Sequence, residues 1–150
     1  MSGAPIQDTF DAEDGPRVRV RIHLNPKDRR HRWRQRQVIP PPVEVWALLD
    51  TGAECTCVTP GVAARLSLPV ARFRMANAPG LAGLTGALVR DASFTIVHPA
   101  GGRHDLVLPE LEVTELDLAA LGYDALVGRD VLARCVLTYN GPAGSFTLGY

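Results

Sequence analysis

Leu48-Leu49-Asp50-Thr51-Gly52-Ala53 is the stretch that decides the reading of this chain. Two apolar residues run directly into an aspartate, followed by a small hydroxyl residue, a glycine and an alanine. This order sets a carboxylate at the end of a buried strand, where the backbone turns sharply. Gly52 has no Cβ, so backbone and side chains can approach the carboxylate closely. Asp-Thr-Gly occurs once in the chain. Two readings of Asp50 are open at this point. It caps its own turn, as aspartates at strand ends commonly do, or it is one member of a reactive pair.

The pair has a physical logic. A single carboxylate beside apolar residues is disfavoured in its charged form. Two carboxylates brought together share one proton. One then serves as a base towards water, and the other, protonated, donates to a carbonyl oxygen under attack. Such a pair hydrolyses a peptide bond with no metal, cofactor or covalent intermediate, and the shared proton implies an acidic to mildly acidic optimum. With one such motif in the chain, Asp50 would be half of such a site.

Working outward, Arg17 to Leu24 alternates strictly, with Val18, Val20, Ile22 and Leu24 on one face and Arg17, Arg19, Arg21 and His23 on the other. That is a half-buried strand. Lys27 to Gln37 reads as a polar loop, and Pro40-Pro41-Pro42 stiffens its exit. Val43 to Leu49 is the strand that delivers Asp50. Cys55 to Val58 continues extended. Thr59-Pro60 reads as a helix start, with a short helix through Leu66. Asn77 to Gly86, with Pro79, Gly80, Gly83 and Gly86, reads as a hairpin tip. Leu88–Val97, Arg103–Leu108 and Leu111–Leu118 read as three strands. Ala125 to Leu132 reads as a strand end, a glycine turn and a short helix. Arg134–Leu137 and Ser145–Leu148 form a last hairpin. The 14 glycines and 12 prolines leave no long helical period, which favours short strands.

Residues 1–16 carry Asp8, Asp11, Glu13 and Asp14 and no base, and read as a polar, partly disordered leader. Residues 17–150 then form one domain. Apolar residues make up 46% of the chain, enough for a core. The net charge is zero, with 16 basic and 16 acidic side chains, which hides a basic block between Arg17 and Arg36. Its run Arg29-Arg30-His31-Arg32-Trp33-Arg34-Gln35-Arg36 could grip a nucleic-acid backbone and stack a base. The preferred reading is a solvated loop, so nucleic acid is not an expected partner.

No basic start precedes an apolar run, so no signal peptide is expected, and no stretch is long enough to cross a bilayer. The three cysteines are an odd number. They read as reduced thiols of a cytoplasmic protein. Cys55 and Cys57 lack the further ligands that a metal site needs, and no metal is expected.

A second element tips the choice at Asp50 towards the pair. Leu126-Val127-Gly128-Arg129-Asp130-Val131-Leu132 lies downstream, with Gly80-Leu81-Ala82-Gly83-Leu84-Thr85-Gly86 between. Together with Ala47 to Ala53, these segments resemble the retropepsin-like aspartic peptidases, the single-domain family that includes the retroviral proteases. The resemblance covers residues 17–148 in order of elements. It implies a mostly β, closed barrel of the acid protease type with one short C-terminal helix, working as a homodimer on a peptide or protein substrate. It assigns Asp50 as catalytic and Thr51, Gly52 and Ala53 as shaping the site. It makes Gly80, Leu81, Ala82, Gly83 and Leu84 the flap. It suggests that Arg129 pairs with Glu54 to brace the active-site loop, beside Gly128 and Asp130. The alternative is a catalytically idle domain of the same fold, used for dimerisation or peptide binding. The basic insert before the first motif and the hairpin after the helix depart from the family pattern.

Overall fold

The computed structural model describes residues 3–78 and 82–150. Ten strands dominate. They are β1 (Ile6–Thr9), β2 (Arg17–His23), β3 (Val43–Leu49), β4 (Cys57–Val58), β5 (Val70–Asn77), β6 (Leu84–Ile96), β7 (Leu106–Glu115), β8 (Ala125–Val127), β9 (Val136–Asn140) and β10 (Ser145–Gly149). Three short helices accompany them: α1 (Pro26–Arg34), α2 (Pro60–Leu66) and α3 (Arg129–Leu132).

Seven strands run in the order β2-β3-β8-β4-β7-β6-β5. β2 also pairs with β6, Val20 facing Ile96 and Ile22 facing Phe94. That pairing closes β2, β3, β8, β4, β7 and β6 into a six-stranded barrel, which leaves those strands no open edge. The alternation in β2 explains its place. Val18, Val20 and Ile22 are buried while the arginines between them face outward. They pack with Leu24, Phe94, Ile96, Leu66 and Leu68 in one core. β8 lies between β3 and β4, parallel to the first and antiparallel to the second.

Three expectations are corrected. The leader is not disordered throughout. Ile6–Thr9 pairs antiparallel with β10, and β10 pairs with β9 in a three-stranded sheet. Ile6 is buried, and burial of that one apolar side chain with the pairing to β10 along one edge holds the segment.

The basic segment is a helix, α1, and not a loop. Asn25 caps it by accepting from the Asp28 N–H at 2.8 Å, and Pro26 opens the first turn. It has no buried residue, so no apolar stripe marks it in the sequence. Arg32 anchors it by donating to the Ser67 and Val38 carbonyls.

Finally, Leu106–Glu115 is one strand where two were expected, with Arg103 and His104 in a single 3₁₀ turn before it. The chain passes through Pro109 at a register shift opposite Ala92 and Phe94, where a missing N–H is tolerated.

Candidate active site

Asp50 stands at the exit of β3. Its N–H donates to the Val127 carbonyl at 3.0 Å, one step beyond the parallel pairing of Leu49 with Val127. Strand β8 thus fixes the backbone of Asp50 on one side, and its own turn holds the other, the Ala53 N–H donating to the Asp50 carbonyl at 3.2 Å. Its Oδ1 accepts the Gly52 N–H at 2.8 Å. A Cβ on Gly52 would sit 3.0 Å from that same oxygen, so glycine lets the turn fold tightly on the carboxylate. The self-capping turn is therefore real, and it orients one oxygen while the residue stays half-buried. Thr51 and Gly52 are exposed and Ala53 is half-buried.

The loop is braced from beneath by the β8–α3 segment. Arg129 donates its N–H to the Ala53 carbonyl at 2.9 Å. Its guanidinium Nη1 donates to the Thr51 and Gly52 carbonyls at 3.0 and 3.2 Å. Arg129 is the expected brace, but it grips main-chain oxygens and not Glu54. Glu54 instead faces Arg74 of β5 at 3.5 Å, with its side chain 76% exposed, where a single ion pair contributes little.

Gly128 crosses the chain at Cys55. A Cβ there would lie 2.4 Å from the Cys55 carbonyl carbon and 2.5 Å from its oxygen, so only glycine fits. Asp130 completes the joint. Its Oδ2 accepts the Thr56 N–H at 3.0 Å, and its Oδ1 accepts the Thr56 hydroxyl at 2.8 Å and the Val131 N–H at 2.9 Å. The Gly128 N–H donates to the Thr56 hydroxyl at 3.1 Å. Thr56, fully buried, both donates and accepts here and is a residue that sequence reading missed. An Asp130→Ala change leaves a buried N–H and a buried hydroxyl without their acceptor. It should destabilise the fold by about 2 kcal/mol in urea unfolding, and Asp130→Asn, which retains one acceptor oxygen, by less.

This barrel, with Asp50 at a strand exit beneath a hairpin and a short helix behind it, has a counterpart among solved proteins. The crystal structure of a retropepsin-like aspartic protease from Rickettsia conorii superposes with a TM-score of 0.58. The match covers 98% of this chain and 91% of that one, at 15% sequence identity. The fold is retropepsin-like. No protein-family model matches the chain, and no curated protein matches it in sequence.

In this retropepsin-like chain, β5 and β6 pair antiparallel, with Asn77 opposite Leu84. Of the expected flap residues, Gly80 and Leu81 lie outside the described residues. Ala82, Gly83 and Leu84 lead into β6. Gly83 takes a left-handed φ of +82°, which favours glycine, and Leu84 is 63% exposed. Lower on the hairpin, a Cβ on Gly86 would meet the Phe73 ring at 2.5 Å, so this glycine lets the ring lie across the ribbon.

Behind the loop, Ala53 and Cys55 pack against a small apolar cluster that includes Ala76, Ala87, Leu116 and Leu126. The retropepsin-like barrel therefore gives the Asp50 loop an apolar floor continuous with the hairpin. Among the described residues no group of His, Cys, Asp or Glu is arranged to hold a metal ion, and none of the helices is long and apolar enough to cross a membrane.

Proposed function

We propose that this chain is an aspartic endopeptidase whose active site forms when two copies bring their Asp50 carboxylates together on a two-fold axis. The observation that carries the reading is the placement of Asp50. A half-exposed carboxylate ends a barrel strand, is oriented by the Gly52 N–H, and sits on a loop that Arg129 and Asp130 hold rigid. A self-capping turn alone calls for none of that bracing. One such carboxylate per chain suits a symmetric dimer, in which each residue meets its own copy.

The two carboxylates would share one proton. The ionised one takes a proton from a water as its oxygen attacks the peptide carbon. The protonated one donates to the carbonyl oxygen, giving a neutral tetrahedral diol. Collapse of the diol breaks the C–N bond, with the proton passed to the leaving nitrogen. Thr51, Gly52 and Ala53 line the approach, and the hairpin around Ala82–Leu84 covers an extended peptide. The chemistry uses no cofactor or metal. A reducing, cytoplasmic setting is part of the same reading, on the odd number of cysteines in the sequence.

The test is a cleavage assay on denatured casein between about pH 4 and 7, with an Asp50→Asn chain as control. Cleavage lost in the control supports the endopeptidase. Specific peptide binding by the wild-type chain with no turnover would replace it with an idle, peptide-binding domain of the same fold.

A further inference from the structure

Cys55 and Cys57 follow the Asp50 loop, and they differ sharply in surroundings. Cys57 is buried, and its thiol lies 3.4 Å from the Cys55 carbonyl. Cys55 is half-buried, and two strands converge on its sulfur. Thr114 of β7 places its hydroxyl 3.2 Å away. Arg74 of β5 donates from Nη1 at 3.3 Å. The same guanidinium faces Glu54 through Nη2 at 3.5 Å. Arg74 is on the hairpin's first strand, so this sulfur and Glu54 are what hold that strand to the Asp50 loop through charge.

The charges around the sulfur favour its ionised form. The neighbouring Cys57 thiol lowers the Cys55 pKa most, with help from the Thr114 hydroxyl and the Arg74 charge. Burial and the Asp130 carboxylate oppose them, and the result is about 6 against an ordinary 9.0. The same contact with Cys55, then burial, pushes the Cys57 thiol far up. Burial also raises Cys135. Of the three thiols, Cys55 is the one whose surroundings favour the thiolate; it is half-buried and its sulfur faces the Arg74 guanidinium at 3.3 Å, the setting of reactive cysteines.

We propose that Cys55 is a peroxide-reactive modification site, and that its oxidation detaches the Arg74 strand of the hairpin from the Asp50 loop. The thiolate sulfur attacks one oxygen of a hydroperoxide. The S–O bond forms as the O–O bond breaks, hydroxide or alkoxide leaves, and sulfur gives up two electrons to become sulfenic acid. The product is larger by one oxygen and uncharged, so Arg74 loses one of its two anionic partners and keeps only the exposed Glu54 carboxylate at 3.5 Å. The thiol chemistry stands apart from the peptidase reading; only its effect on substrate closure rests on it.

The experiment is alkylation with iodoacetamide across pH, each cysteine followed by peptide mass spectrometry, on the wild-type and Asp50→Asn chains alike. At pH 6 about half of Cys55 would be ionised, against about 0.1% of a thiol at the ordinary 9.0. The lower intrinsic nucleophilicity of a weakly basic thiolate offsets part of that, leaving a gain of about 20-fold over an exposed cysteine peptide at pH 6. Cys55 should react first with a pH midpoint near 6, and peroxide should yield a dione-trappable sulfenic acid there. Arg74→Met should raise the midpoint, Arg74→Lys should restore most of it, and Arg65→Met should leave it unmoved. A Cys55 midpoint of about 8 or above, Cys135 reacting before Cys55, or an Arg74→Met profile identical to wild type would overturn the proposal. Altered thiol chemistry without any change in casein cleavage would remove only the coupling to the hairpin.

Discussion

The Asp50→Asn chain should hydrolyse a denatured protein substrate at least about a thousandfold more slowly than the wild type, with its fold intact. Both halves of the site change at once, since each copy would contribute the same residue. An amide neither takes a proton from water nor carries the proton that the carbonyl oxygen needs. The fold should survive because the amide oxygen of asparagine can still accept the Gly52 N–H that now meets Asp50 Oδ1 at 2.8 Å. Asp50 is only half-buried and the two side chains are nearly isosteric. Thermal unfolding and circular dichroism should match wild type within experimental scatter. Cleavage at the wild-type rate would remove Asp50 from the chemistry, while loss of both cleavage and fold would assign it a structural role.

Gly128→Ala should be the most damaging single methyl group in the site. The added carbon would lie 2.4 Å from the Cys55 carbonyl carbon, 2.5 Å from its oxygen and 2.9 Å from its Cα. These are main-chain atoms, so no rotamer change relieves the clash. One chain segment must move. That movement breaks either the Gly128 N–H bond to Thr56 or the Arg129 N–H bond to Ala53. The expected loss is about 3 kcal/mol, which for a domain of this size lowers the midpoint of thermal unfolding by about 8 °C. Gly61→Ala is the matched control. It lies in α2, where a Cβ meets nothing within 4 Å, and alanine suits a helix better than glycine. That change should be neutral or slightly stabilising. A Gly128→Ala chain as stable as wild type would mean that β8 and the Cys55 segment do not cross in contact.

Much of the site was legible in the sequence because it is local. Leu48 to Ala53 and Leu126 to Leu132 are continuous segments whose residue order states their geometry. β2 declared itself by strict alternation, since one of its faces is buried and the other is not. The contacts that join these segments were not legible. Thr56 meets Asp130 across 74 positions of chain, and nothing in either neighbourhood names the other. Arg129 was placed correctly under the Asp50 loop, but its choice of carbonyls over Glu54 depends on side-chain reach in three dimensions. α1 escaped because periodicity reports burial and this helix buries nothing; its capping by Asn25 and Pro26 was the signal available. β1 escaped because a four-residue strand with one buried isoleucine looks like any polar leader until β10 offers it an edge. The two strands expected up to Leu108 and from Leu111 are one, because a register shift absorbs Pro109 between them.

The shared site is tested most directly by mixing chains. Wild-type protein is held at fixed concentration while the Asp50→Asn chain is added and allowed to exchange, and casein cleavage is followed. If two copies complete one site, mixed dimers are inactive. Activity should then fall about tenfold at a ninefold excess of the variant, as random pairing of two subunits requires. Activity that stays constant at every ratio would show that one chain suffices, and would contradict a site built from two Asp50 residues.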